Sequence, residues 1–266
     1  MAFLLEFLKK EFREECGMWT GFILRFGAVI LPGFVFYYLS RIVDTTTPSF
    51  QVHFGGAFFP FFIAGMAVYR FAYTILFRWP TVVYRERWRG TLESLWLGKY
   101  TPVSLVLVLG IWPFVEGLVN FFGLIMVGKS LAPSIFQNAY FPELLGALVF
   151  AVFLYAAFGL MAVALALVVN RASEMLQIFN FIDIFFSGLF FPTAILPSPL
   201  RWISEFLPMT HLLRLVRFGL TGNVETALAE SLLLSIFIAG AVPLAALFLH
   251  FAICKIEEEG RLAVWG

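Results

Sequence analysis

The sequence predicts an all-α integral membrane domain with six transmembrane helices, on three observations. Of the 266 residues, 61% are hydrophobic and 13% charged, with a mean hydropathy of +0.90; a soluble domain has about 45–50% apolar and about 25% charged residues. Six stretches stay apolar over the roughly 20 residues that a helix needs to cross about 30 Å of hydrocarbon. Within them, runs such as residues 147–154 are apolar on every side, where a barrel strand would alternate.

The elements follow in chain order. Residues 1–18 place Met1, Leu4, Leu5, Leu8 and Phe12 on one helical stripe and Glu6, Lys9, Lys10, Arg13 and Glu14 on others, the pattern of a helix lying in the membrane interface. Glu6 interrupts the apolar run and the basic residues follow it, so this stretch reads as mature protein and not as a signal peptide. The spans are expected at about residues 22–39, 54–77, 103–128, 144–169, 175–196 and 229–254. Only the connections over about 78–102 and 197–228 are long, so residues 1–266 read as a single integral membrane domain with no separate soluble unit.

Lys and Arg near span ends set the orientation. With the N-terminus in the cytosol, eleven fall inside (Lys9, Lys10, Arg13, Arg78, Arg85, Arg87, Arg89, Lys99, Arg171, Lys255 and Arg261) and five outside (Arg41, Lys129, Arg201, Arg214 and Arg217). Both termini are therefore expected in the cytosol, in a multi-pass protein of the plasma membrane. A net charge of +1 leaves no basic excess for nucleic acid. Cys16 and Cys254 read as free thiols, and His53, His211 and His250 show no metal-ligand spacing.

Three local patterns suggest chemistry. Residues 123–130 fit GxxxxGK[ST], but a phosphate loop lies between a strand and a helix, whereas this string ends an apolar span. Ser187 and His250 could form an intramembrane hydrolase pair, yet they fall toward opposite ends of their spans and the glycine of a GxSG motif is replaced by Phe185. Glu116 and Asp183 lie well inside spans, where ionisable groups either pair or mark a pathway. Arg70 is the expected partner for pairing; a water-filled path through Glu116 and Asp183 would suit an ATP-independent channel or secondary transporter. Phe makes up 34 of the residues, which reads as packing and lipid contact, or as an aromatic-lined route for a lipid or glycan.

Two segments carry more information. Residues 79–100 are charged and amphipathic, with Arg85-Glu86, Gly90-Thr91-Leu92-Glu93 and Thr101-Pro102 at the start of the next span. Leu92, Leu95 and Trp96 form an apolar i, i+3, i+4 face able to enter a groove, while Arg87, Arg89 and Glu93 can form a polar rim. Residues 192–224 are broken by proline and only partly apolar, with Leu196-Pro197, Trp202, Pro208 and Arg217. The first segment resembles the coupling helix of the type 2 ABC exporter permeases, and the second their extracellular re-entrant helix pair. Against that pattern, Leu207 stands where Asn often precedes the proline, His211 where an aromatic is common, and Arg214 where an acid is common.

The resemblance implies a cytosolic coupling helix (Arg85, Glu86, Arg87, Arg89, Gly90, Thr91, Leu92, Glu93, Leu95, Trp96) and extracellular re-entrant helices between spans five and six with a gate at Pro197, Trp202, Pro208 and Arg217. It implies a transport subunit, not an enzyme, with no cofactor on this chain. Its partners would be two ABC ATP-binding subunits that hold Mg-ATP, a second permease copy or homologue, and membrane lipid, with no nucleic acid. Short exterior loops suit export of a lipid, a lipid-linked glycan or a hydrophobic drug. Exchange of Glu86 or Glu93 is expected to uncouple ATP hydrolysis from transport.

Overall fold

The computed structural model describes residues 6–7, 9–13, 19–46, 58–96, 101–133, 141–169, 171–221 and 227–259. Residues 6–7 and 9–13 are helical. Nine further helices follow: α1 (Trp19–Thr46), α2 (Phe58–Trp88), α3 (Thr91–Trp96), α4 (Pro102–Leu131), α5 (Phe141–Val168), α6 (Ala172–Phe186), α7 (Ser198–Phe206), α8 (Pro208–Thr221) and α9 (Ala227–Glu259). A 3₁₀ turn, Thr193–Ile195, precedes α7. No strand occurs among the described residues.

Four helices, α2, α4, α5 and α9, are long and apolar enough to cross a membrane. In α1 the stretch Ile30–Ile42 is apolar. Helix α6 departs from expectation. It runs for 15 residues and ends at Phe186, ten residues before the expected end of span five, and at 1.5 Å per residue it covers about 22 Å. The chain breaks at Gly188, whose φ of +84° suits a residue without a Cβ.

Helix α2 is the central element. It packs against α1, α4, α5 and α8, and Ile63, Phe71 and Trp79 each press on a glycine of α4: Gly128, Gly117 and Gly110 in turn. That descending order is the antiparallel register of the two helices. At 31 residues α2 extends about 46 Å, so roughly ten residues project past a 30 Å hydrocarbon layer. Pro80 lies inside it without ending it, and the first ten residues of the 79–100 segment continue the helix. Helix α9 packs along α5 and α8. Thr101 caps α4, its hydroxyl accepting from the Ser104 N–H at 3.3 Å, with Pro102 in the first turn.

One end of the bundle, termed the near end, gathers the last turns of α2, α5 and α9 with the start of α4. The far end gathers α7, α8 and the starts of α5 and α9. Trp79 sits where α2, α4 and α5 meet, and its indole donates to the Val106 carbonyl at 3.0 Å. A Cβ at Gly110 would run into the ring, and one at Gly159 would stand 2.6 Å from it. Gly110→Ala and Gly159→Ala are expected to cost about 1–3 kcal/mol each by overpacking. Gly240→Ala meets nothing within 4 Å and should leave the melting temperature of the purified protein unchanged or higher.

Candidate functional site

The near end carries the residues of the 85–96 motif. Glu86, only 2% exposed, accepts from Lys10 Nζ at 2.8 Å and from the Thr91 hydroxyl at 2.6 Å. The Arg89 guanidinium stands 3.5 Å from the same carboxylate. Arg85 pairs with the buried Glu11. Two ion pairs thus join the N-terminal helical stretch to the end of α2. Arg87 turns inward and donates to the Leu167 carbonyl in the last turn of α5 at 3.0 Å.

Gly90, with φ +72°, reverses the chain into α3, because that conformation strains any residue carrying a Cβ. The Trp96 indole then donates to Glu257 of α9 at 3.1 Å. The expected docking face is therefore corrected: Leu92 and Trp96 are 1% and 8% exposed and belong to the chain's own core, with Leu95 half-buried against it. The short α3 shields the ends of its own bundle, so its apolar stripe is already covered. Within residues 84–96, those presented outward are Tyr84, Trp88, Arg89, Gly90 and Ser94. Tyr84 and Trp88 stack with ring centroids 6.4 Å apart, and Trp88 is 65% exposed. Their i, i+4 spacing on the face of α2 opposite Trp79 and Glu86 was readable in the sequence once α2 is known to continue past Pro80. The side chain of Glu93 and residues 97–100 lie outside the described residues.

At the far end, Pro197 precedes α7, Pro208 opens α8, and Trp202 lies exposed on α7. Arg217 does more: its guanidinium donates to the carbonyls of Gly188 at 2.9 Å and Leu189 at 3.4 Å and lies 3.4 Å over the Phe61 ring. It closes the backbone left open where α6 stops. Arg214 forks onto both oxygens of Glu205, the longer bond 2.8 Å, and reaches the Thr193 hydroxyl at 3.2 Å. That guanidinium holds the Glu205 carboxyl below its usual range. Residues 222–224, the end of the expected re-entrant segment, lie outside the described residues.

The interior acids separate. Glu116 pairs with Arg78 at 2.9 Å, not with Arg70, whose Nε is buried without a hydrogen-bond partner. Eight residues along a helix is about 80° of rotation, which separates the two arginines around α2 and directs Arg78 to α4. Asp183 is buried on α6, as is Asn180 one turn before it. Ser187 is buried beside Gly188 at the far end. His250 lies twenty residues, about 30 Å, along α9 from Glu230 at the far end, so the two do not form a catalytic pair. Residues 123–130 are wholly helical, which removes the phosphate-loop reading. No group of three or more metal-ligating side chains occurs among the described residues.

A family model described as ABC-2 type transporter matches residues 4–221. The matched region runs from the N-terminal stretch to the end of α8. No curated protein matches the chain. The ion pairs of the near end make a direct prediction. Glu86→Ala removes two charge-assisted bonds and should lower stability by about 2 kcal/mol, with new proteolysis near Gly90. Lys10→Ala, at a half-exposed position, should cost less; equal effects would show that the Glu86–Thr91 bond contributes nothing.

Proposed function

The chain belongs to the ABC-2 type transporter family, and from that premise we propose that it is the permease subunit of an ATP-driven exporter. Membership itself makes it a multi-pass membrane subunit of a transporter, of a kind that normally works with a separate ATP-binding subunit. The proposal adds orientation, direction, assembly and cargo. The near end faces the cytosol, following the excess of Lys and Arg in the connections on that side. Two copies, or this chain and a homologue, form the path in the plasma membrane, and two ATP-binding subunits carrying Mg-ATP dock beneath them. In this reading α1, α2 and α6 carry spans one, two and five, and α7 with α8 form the re-entrant pair.

One observation carries the reading: the 85–96 segment is anchored to the N-terminal stretch, α5 and α9 while its outer face stays open. A load applied to Trp88 or Arg89 is passed through Glu86 to the N-terminal stretch, through Arg87 to α5 and through Trp96 to α9. Movement of one docked subunit therefore reaches the bundle at several points together. For ATP to drive it, the docked surface must be held differently in the two states of the partner, since a contact equal in both shifts no equilibrium. The cargo is a lipid, a lipid-linked glycan or a hydrophobic drug, matched to a chain whose exterior connections hold no large domain.

The structure changes which substitutions test docking. Glu86 is buried, so its loss tests anchoring, whereas Trp88 and Arg89 test the contact itself. The tagged chain, purified from its native membrane, is expected to bring an ATP-binding subunit and ATPase activity with it. Trp88→Ala with Arg89→Gln, which leaves Lys10 and Thr91 on Glu86, should reduce the captured subunit at least tenfold while leaving the melting temperature within about 2 °C of the parent, a shift that corresponds to about 1 kcal/mol or less. Capture unaffected by the double substitution would overturn the assignment of that face, and a chain purified without any ATPase would overturn the exporter reading.

A further inference from the structure

Three helices meet at the far end around one imidazole. His211 of α8 has a side chain only 3% exposed and lies between the last turn of α7 and the first turn of α9. Its Nδ1 stands 2.5 Å from Oε2 of Glu230, and its Nε2 stands 2.9 Å from the carbonyl oxygen of Glu205. A carbonyl oxygen and an ionised carboxylate only accept. A neutral imidazole has one N–H and one lone pair, whereas the imidazolium donates from both nitrogens. The neutral ring would turn a lone pair onto an acceptor in a buried site, where an unmade hydrogen bond costs most.

The surrounding charge agrees. Around the ring are Glu205 from α7, Arg214 from its own helix and Glu230 from α9, with the Thr193 hydroxyl beyond Arg214, while Arg201 of α7 acts on Glu205 and bonds the Ala194 carbonyl. Arg214 is bound to Glu205 and stands 3.4 Å from Glu230. Arg214, committed to Glu205, opposes a charge on the ring, whereas the Glu230 carboxylate against Nδ1 favours one. The helix ends add to this. The Glu205 carbonyl belongs to the last turn of α7, the negative pole of that helix, and Glu230 occupies the first turn of α9, the positive pole, so each is a favourable place for the group found there. Burial opposes a charge on His211, yet the bonds to Glu230 and the Glu205 carbonyl prevail and raise its pKa above the ordinary 6.5.

We propose that His211 is a proton-binding site that latches α8 to α7 and α9, closed when the proton is bound and released when it leaves. On the orientation proposed above the latch faces the exterior, so the pH outside the cell sets how firmly the far end is held. The proton site itself rests on no ATP-binding partner and no cargo. The sign follows from linkage: the folded state holds this proton more tightly than the unfolded chain, so the stabilisation is complete below about pH 6.5 and is lost as pH rises through the higher folded-state value.

The test uses the full chain in lipid nanodiscs. His53→Gln with His250→Gln leaves His211 as the one histidine, whose imidazole ¹³C and ¹⁵N resonances are followed from pH 5 to 9. The expected midpoint lies above 6.5, and adding Glu230→Gln should weaken proton binding at least tenfold. Thermal unfolding gives an independent reading: the melting temperature should fall between pH 6 and pH 9, and Glu230→Gln should flatten that fall. A midpoint at or below 6.5, or one unmoved by Glu230→Gln, overturns the latch. Because no partner subunit is present, such a failure leaves the exporter reading where its own pull-down places it.

Discussion

The near end depends on where α2 leaves the bundle and on how it is rotated there, and the indole of Trp79 sets both. The ring enters a space that exists only because Gly110 and Gly159 lack side chains, and its bond to the Val106 carbonyl prevents it from sliding along α4. Helical geometry then propagates the choice. Glu86 follows Trp79 by seven residues, nearly two full turns, and so points the same way, into the protein. Trp88 follows by nine residues, half a turn out of phase, and so points away. One wedge thereby sorts the motif into residues that anchor and residues that face outward.

Much of this was legible in the sequence, and the gaps have physical causes. Apolar length predicted the long helices, and Thr101-Pro102 marked the start of α4, because both signals are local. The apolar stripe of Leu92, Leu95 and Trp96 announced that something covers it without saying what, and α9, more than 150 residues later, proved to hold Trp96 through Glu257. Arg70 was the expected partner of Glu116, and the rotation of α2, which local sequence does not report, gives that place to Arg78. Span five was expected to be as long as its apolar composition, but apolar residues also fill buried turns, and the stretch after Phe186 is one.

That turn explains the far end. Backbone outside a helix can lie at membrane depth only where protein satisfies its polar groups. Leu189 sits against Gly65, seven residues into α2, so the turn is well below the end of the longer helix. Arg217 supplies the missing donors to Gly188 and Leu189 while its charge rests on the Phe61 ring. The two positions that read in the sequence as departures from the resembling pattern, His211 and Arg214, are likewise answered by Glu205 and Glu230. Read singly, a histidine and an arginine there look like substitutions that break a network; with the two acids they form another one.

Helix α9 joins the two ends. Glu230 holds the far end and Glu257 the near end, 27 residues and so about 40 Å apart. Between them Pro243 removes one backbone donor from the helix, the kind of position at which a long helix bends. The same helix packs along α5, which Arg87 grips at its last turn. The 85–96 segment is therefore tied to α9 through Trp96 and to its neighbour α5 through Arg87, while the far-end network holds the other end of α9 through Glu230. One helix thus carries polar contacts from both ends of the bundle, which is how short-range bonds at one surface share an element with those at the opposite one.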